Sequence, residues 1–168
     1  MALFNMTELR GALPRGVRLL GIDPGARTIG LALSDVSLLL ASPYGSLKRT
    51  RLRADAAKIA AIAAREGAGG LVVGLPLSMD GSIGPAAQGA RDWTQALSEA
   101  TGLPAALWDE RLSTAAVQRM MIAEADLSRA RRAEAVDKLA AAWMLQSALD
   151  ASKGASKGAS KADQWRTT

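Results

Sequence analysis

From Arg18 to Ser34 the chain is apolar except around Asp23-Pro24-Gly25, after which it resumes as Thr28-Ile29-Gly30-Leu31-Ala32-Leu33. Two apolar runs joined by a Pro-Gly turn predict a β-hairpin, and the segments beyond Ser34 restrict how that hairpin can be completed. Residues 38–48 suit a third strand. Arg51 to Glu66 spaces Leu52, Ala56, Ile59 and Ala63 as an amphipathic helix does. Leu71-Val72-Val73-Gly74-Leu75 is a continuous apolar run between glycine and proline, the signature of a strand covered on both faces. After a long loop, Gly84 to Ala100 reads as helix, and Pro104 to Trp108 as a short strand stopping at Asp109-Glu110-Arg111. Ser113 suits the N-cap of a helix over Thr114 to Ala123. The basic connector Ser128-Arg129-Ala130-Arg131-Arg132 leads to a last helix from about Ala133 to Leu149. An antiparallel start and then alternating helix and strand predict an α/β fold: a five-stranded mixed sheet with helices on both faces.

The 168 residues include neither cysteine nor histidine. Disulfides, thiolate ligands, imidazole-bound zinc, the Ser-His-Asp triad and histidine acid/base catalysis are thereby excluded. Chemistry falls to carboxylates, amines and hydroxyls, and carboxylates without imidazole or thiolate suit hard cations such as Mg2+ or Mn2+. No apolar run approaches the roughly 18 residues of a membrane span, and the first residues lack the pattern of a cleaved leader, so a cytoplasmic location is expected.

The length fits one domain. Residues 1–16 are expected to be an N-terminal extension, 17–150 the folded domain, and 151–168 a disordered basic tail, because Ala-Ser-Lys-Gly repeats there and cannot bury apolar area. The net charge of +5 favours a polyanionic partner. Four basic residues against one acid put +3 on residues 151–168, which leaves +2 for the body.

Three acids stand out. Asp23 ends the first strand, with glycine on either side of its Ile22-Asp23-Pro24 segment to let a bulky ligand approach; an Asp before Pro-Gly is also an ordinary turn former. Asp109 and Glu110 end another strand, where alternation sends them to opposite faces; Glu110 is the choice and Asp109 the reserve, with a solvated strand end as the bland alternative. Asp137 begins a stripe of Ala140, Ala141, Met144 and Ala148 at helical spacing. A carboxylate facing packing needs a partner, either a cation or a neighbour such as Arg111 or Lys138. Converging, the three would hold one or two divalent ions able to activate water for phosphodiester hydrolysis. Arg111, Arg119, Arg129, Arg131 and Arg132 lie near these acids in sequence, and their guanidinium groups suit phosphate oxygens.

The segments Gly21-Ile22-Asp23-Pro24-Gly25 with Thr28-Ile29-Gly30, Val73-Gly74-Leu75-Pro76-Leu77-Ser78-Met79-Asp80-Gly81-Ser82, Asp109-Glu110-Arg111-Leu112-Ser113-Thr114 and Val136-Asp137-Lys138-Leu139-Ala140-Ala141 occur in that order. Together they resemble the YqgF family, also called RuvX, over roughly Arg18 to Asp150. The resemblance implies a ribonuclease H-like fold and a magnesium- or manganese-dependent nuclease that matures the 5′ end of pre-16S rRNA in ribosome biogenesis, with kinship to Holliday junction resolvases. It also places the family's acids on Asp23, Glu110 and Asp137. One departure is visible: ribonuclease H-like nucleases commonly carry an acid at the end of the strand that corresponds to Leu71–Leu75, where this chain has Gly74-Leu75-Pro76.

The expected partner is structured RNA, such as pre-rRNA, or else branched DNA, with ribosomal particles as a further candidate. An RNA- or ribosome-binding module without catalysis is the competing class, separable by metal-dependent cleavage. Actin-like and sugar-kinase ATPases share an Asp-x-Gly turn between strands, but they need a second such domain, for which 168 residues offer no second hairpin of that kind.

Overall fold

The computed structural model describes residues 3–76, 82–109 and 129–153, without the side chains of 129–136. The order is α1 (Met6–Ala12), β1 (Arg18–Pro24), β2 (Thr28–Ser34), β3 (Ala41–Lys48), α2 (Leu52–Glu66), β4 (Ala68–Leu75), α3 (Pro85–Thr101), β5 (Ala105–Asp109) and α4 (Arg129–Ser152). The five strands form one sheet in the order β3-β2-β1-β4-β5. β1, β2 and β3 pair antiparallel, whereas β4 joins β1 and β5 in parallel. This is the mixed sheet that the hairpin and the later alternation predict.

Alternation divides the strand residues between two cores. Leu20, Ile22, Leu71, Val73, Leu75 and Leu107 face α2 and α3, where they meet Ile59, Ala63, Ala87 and Leu97. Leu19, Val72 and Ala106 face the other way, toward Met6 and Leu9 of α1 and Ala141, Met144, Leu145 and Ala148 of α4. β4 contributes buried residues to both cores, which is why its sequence shows no alternation of apolar and polar.

Residues 4–12, expected to extend the domain, pack onto it. Phe4 forms a bridge to Ala106 of β5, and Met6 and Leu9 are buried. The helix signal was local: Asn5 Oδ1 accepts from the Glu8 N–H at 2.8 Å while Asn5 Nδ2 donates to Glu8 Oε1 at 2.7 Å, a reciprocal cap. α4 begins four residues before the predicted start and ends three after the predicted end. The predicted helix over Thr114 to Ala123 lies outside the described residues, as does the tail from residue 154. Among the described residues no helix is long and apolar enough to cross a membrane.

Candidate active site

Two glycines bring α4 onto the hairpin. A Cβ on Gly21 would lie 2.9 Å from Leu145 Cβ, and one on Gly30 would lie 2.1 Å from the Asp137 carbonyl oxygen, closer than any real side chain tolerates. The helix therefore rests on bare β1 and β2 backbone, through residues 137, 141 and 145 at successive turns. Side-chain bonds keep it there. Gln146 accepts from the Ala41 N–H at 2.8 Å and donates to Leu39 O at 2.9 Å. Trp108 Nε1 donates to Ser147 Oγ at 3.2 Å, and Arg10 donates to Leu149 O at 3.2 Å and Ser152 Oγ at 3.0 Å.

This docking sets Asp137 beside the tip of β1. Asp23 pairs with Gly30 across the hairpin, so their Cα atoms are about 4.5–5.5 Å apart, and Gly30 is where the Asp137 backbone makes its close approach. On β1, Leu19 and Gly21 face α4, and alternation gives Asp23 that same face. The Thr28 hydroxyl, also on this face, donates to Asp137 Oδ2 at 2.6 Å, which fixes the rotamer of that carboxylate. Both aspartates are half-buried. Among the described residues, the Asp23 carboxylate has no hydrogen bond or ion pair, and the Asp137 carboxylate has the Thr28 bond alone. Two acids share one sheet face near the end of β1, with no Lys or Arg paired to either among the described residues, so the suggested pairing of Asp137 with Lys138 is not observed.

The remainder of the predicted cluster divides by position. Asp109 pairs with Leu75 and shares by alternation the face of Leu107, away from Asp137. Glu110, Arg111 and Arg119 lie outside the described residues; Arg129, Arg131 and Arg132 belong to α4 with side chains outside them. Among the described residues no three acids gather into a metal-binding group. Gly74 follows Val73, the β4 partner of Ile22, so β4 brings no carboxylate beside Asp23. Thr28, part of the Thr28-Ile29-Gly30 motif but not among the expected site residues, is the group that orients Asp137. Its sign was its place on the strand facing the Asp-Pro-Gly turn.

A divalent ion fits the described groups. Both donors are hard oxygens, one carboxylate has no partner and the other is already oriented by a hydroxyl.

A family profile described as "RuvX: Holliday junction resolvase" matches residues 17–151. A Gluconacetobacter diazotrophicus protein named "Putative pre-16S rRNA nuclease" is 70% identical over 152 residues, covering 90% of this chain and 99% of that protein. Proteins of the same name from Gluconobacter oxydans and Rhodospirillum rubrum are 61% and 50% identical, covering 91% and 90% of this chain and 96% and 94% of their own lengths. Among solved structures, Thermus thermophilus RuvC in complex with a Holliday junction substrate superimposes with a TM-score of 0.53 at 21% identity, covering 84% of this chain and 98% of that one. That likeness establishes the ribonuclease H-like fold. With the profile spanning the whole sheet and α4, and relatives at such identity matching nearly end to end, the chain belongs to the RuvX family.

Proposed function

We propose that this RuvX-family nuclease hydrolyses phosphodiester bonds in structured nucleic acid, using Asp23, Glu110 and Asp137 to hold Mg2+ or Mn2+, and that its substrate is the 5′ end of pre-16S rRNA in the cytoplasm. The observation that carries the site is the pair formed by Asp23 and Asp137: two acids from distant parts of the chain on one sheet face, neither neutralised by a basic residue among those described. Partly buried carboxylates that no basic residue offsets call for a cation. A divalent ion bound there would lower the pKa of an attacking water and offset charge on the phosphate.

The chain's own groups set the geometry. Asp23 is placed by the end of β1, and Asp137 by the contact of α4 with Gly30 and by the Thr28 hydroxyl. Arg111, Arg119, Arg129, Arg131 and Arg132 are assigned to the phosphates flanking the cut, where guanidinium forks bind without reading sequence. The RNA assignment rests on the names of the closely similar relatives. The family description favours a second substrate, the four-way DNA junction.

The test incubates purified protein with labelled pre-16S rRNA carrying its 5′ extension, and separately with a four-way junction, in Mg2+, Mn2+ or chelator. Metal-dependent cutting at the 16S 5′ end is expected. Asp23→Asn, Glu110→Gln and Asp137→Asn should each slow it by about a hundredfold or more, since several kcal/mol of charge stabilisation are lost at about 1.36 kcal/mol per tenfold. Cutting of junctions alone would transfer the assignment to DNA; RNA binding without cutting would make the chain a binding module.

A further inference from the structure

Just past Asp23, on the α3 side of the sheet, the described residues enclose a cleft of about 330 Å3. Its walls are the Pro24-Gly25-Ala26 turn, Arg49, Pro76, and Ala86, Gly89 and Trp93 of α3. This volume is at the small end of ligand pockets, which run to roughly 300–1,000 Å3, and suits one flat ring system. Neither Arg49 nor Trp93 was singled out by the sequence, and neither belongs to the carboxylate site.

Arg49 is held firmly. Its guanidinium carbon lies 5.3 Å from the centre of the Trp93 ring, and Nη1 donates to Gly25 O at 2.7 Å. Its backbone N–H donates to Arg27 O at 2.8 Å. The next residue is fixed as well: the Thr50 hydroxyl and N–H donate to the buried Asp55 carboxylate at 2.6 and 3.0 Å. Among the described residues no acid pairs with Arg49, so a preorganised cation with spare donors stands over an indole at a cleft mouth. Guanidinium planes and aromatic rings are what proteins use to hold unstacked bases, and arginine adds attraction for the adjoining phosphate. The cleft wall begins at Pro24, the residue after Asp23, so the cleft opens at the same end of β1 as Asp23, on the sheet face opposite to that carboxylate.

We propose that this cleft seats one unpaired nucleotide of the substrate strand, its base against the Arg49–Trp93 pair, with the strand passing over the end of β1 to the phosphate presented to Asp23. The nuclease would then select sites where a base is free to leave its helix. The inference rests on the proposed function for which phosphate is adjacent, but base seating is measurable without any cutting.

Gly89 supplies the decisive variant. A Cβ there meets nothing within 4 Å, and leucine is a better helix former than glycine, so Gly89→Leu fills the cleft while α3 keeps its packing. Trp93→Ala is less clean, because Trp93 also packs on the core. Binding is read by fluorescence anisotropy in chelator, with a short single-stranded RNA and its duplex compared for wild type, Gly89→Leu and Arg49→Gln. Both variants should weaken single-strand binding by about fivefold to a hundredfold, the effect of losing one base's stacking, and duplex binding by less than about twofold. A single abasic nucleotide in the RNA should reproduce the loss and make Gly89→Leu silent. Equal losses on single strand and duplex, or no loss, overturn the proposal. A wild-type protein that cuts nothing yet shows this pattern would refute the nuclease assignment and leave the base seat standing.

Discussion

Thr28 shows how a neutral side chain can govern an acidic site. Its hydroxyl donates to Asp137 Oδ2 at 2.6 Å, and a hydrogen bond to a charged acceptor contributes about 1.5–3 kcal/mol. It acts through Asp137, so Thr28→Val should reduce metal-dependent cleavage roughly tenfold and raise the Mg2+ concentration for half-maximal rate, while Thr28→Ser restores both. An unchanged metal requirement in Thr28→Val would show that the hydroxyl does not orient the carboxylate. A second residue-scale effect belongs to Asp35, whose carboxylate accepts from the Leu39 and Leu40 N–H groups at 2.8 and 3.1 Å. The Leu40 and then the Leu39 bond hold its pKa below the ordinary 3.8. A depressed acid contributes stability that is complete well above the unfolded value and is lost as pH falls through the folded one. Melting temperature followed from about pH 6 to pH 2 should therefore drop less steeply on acidification in Asp35→Asn than in wild type. Parallel curves would remove Asp35 from the acid response.

At the scale of elements, the position of Asp137 is a packing result. α4 reaches the hairpin because Gly21 and Gly30 have no side chains, and the stripe of alanines in its sequence was the visible half of that contact. The other half was hidden, since a glycine in a strand can equally signify a bulge or a turn. Gly30→Ala puts a methyl group against the Asp137 backbone, where overpacking typically costs about 1–3 kcal/mol, and it should lift the carboxylate off the site. Cleavage should fall at least as far as in Thr28→Val, and the melting temperature should also drop, which separates this variant from Asp137→Asn. A Gly30→Ala protein with wild-type rate would mean that α4 does not fix the acid. The connection from β3 to α2 has a comparable anchor in Asp55, fully buried and bonded by Thr50; sequence shows only an acid in the first turn of a helix, which is common on helix surfaces.

For the molecule as a whole, the sheet was legible because its apolar runs are clean: two joined by a Pro-Gly turn in the hairpin, and the continuous run of β4. α1 was missed because seven residues give too short a window for a helical period, although Asn5 and Glu8 carried its cap. Of the proposed acids, Asp23 and Asp137 could be chosen from chain context, but their place on one sheet face depends on backbone contacts that no spacing encodes. The Arg49–Trp93 cleft joins residues 44 positions apart and left no mark in the sequence. Charge is the remaining whole-molecule property. Residues 154–168 hold Lys157, Lys161 and Arg166 against Asp163, so removing them takes away most of the excess that distinguishes the whole chain from its mildly basic body. Three cations can neutralise at most three phosphates, and each contact with a single strand changes the slope of log K against log salt by about 0.7. A protein ending at Lys153 should thus cut at the wild-type rate in low salt, with a binding slope reduced by no more than about 2. If the truncated chain loses cutting at every salt concentration, the segment takes part in the site itself, and a body carrying only +3 is too weak a grip to work alone.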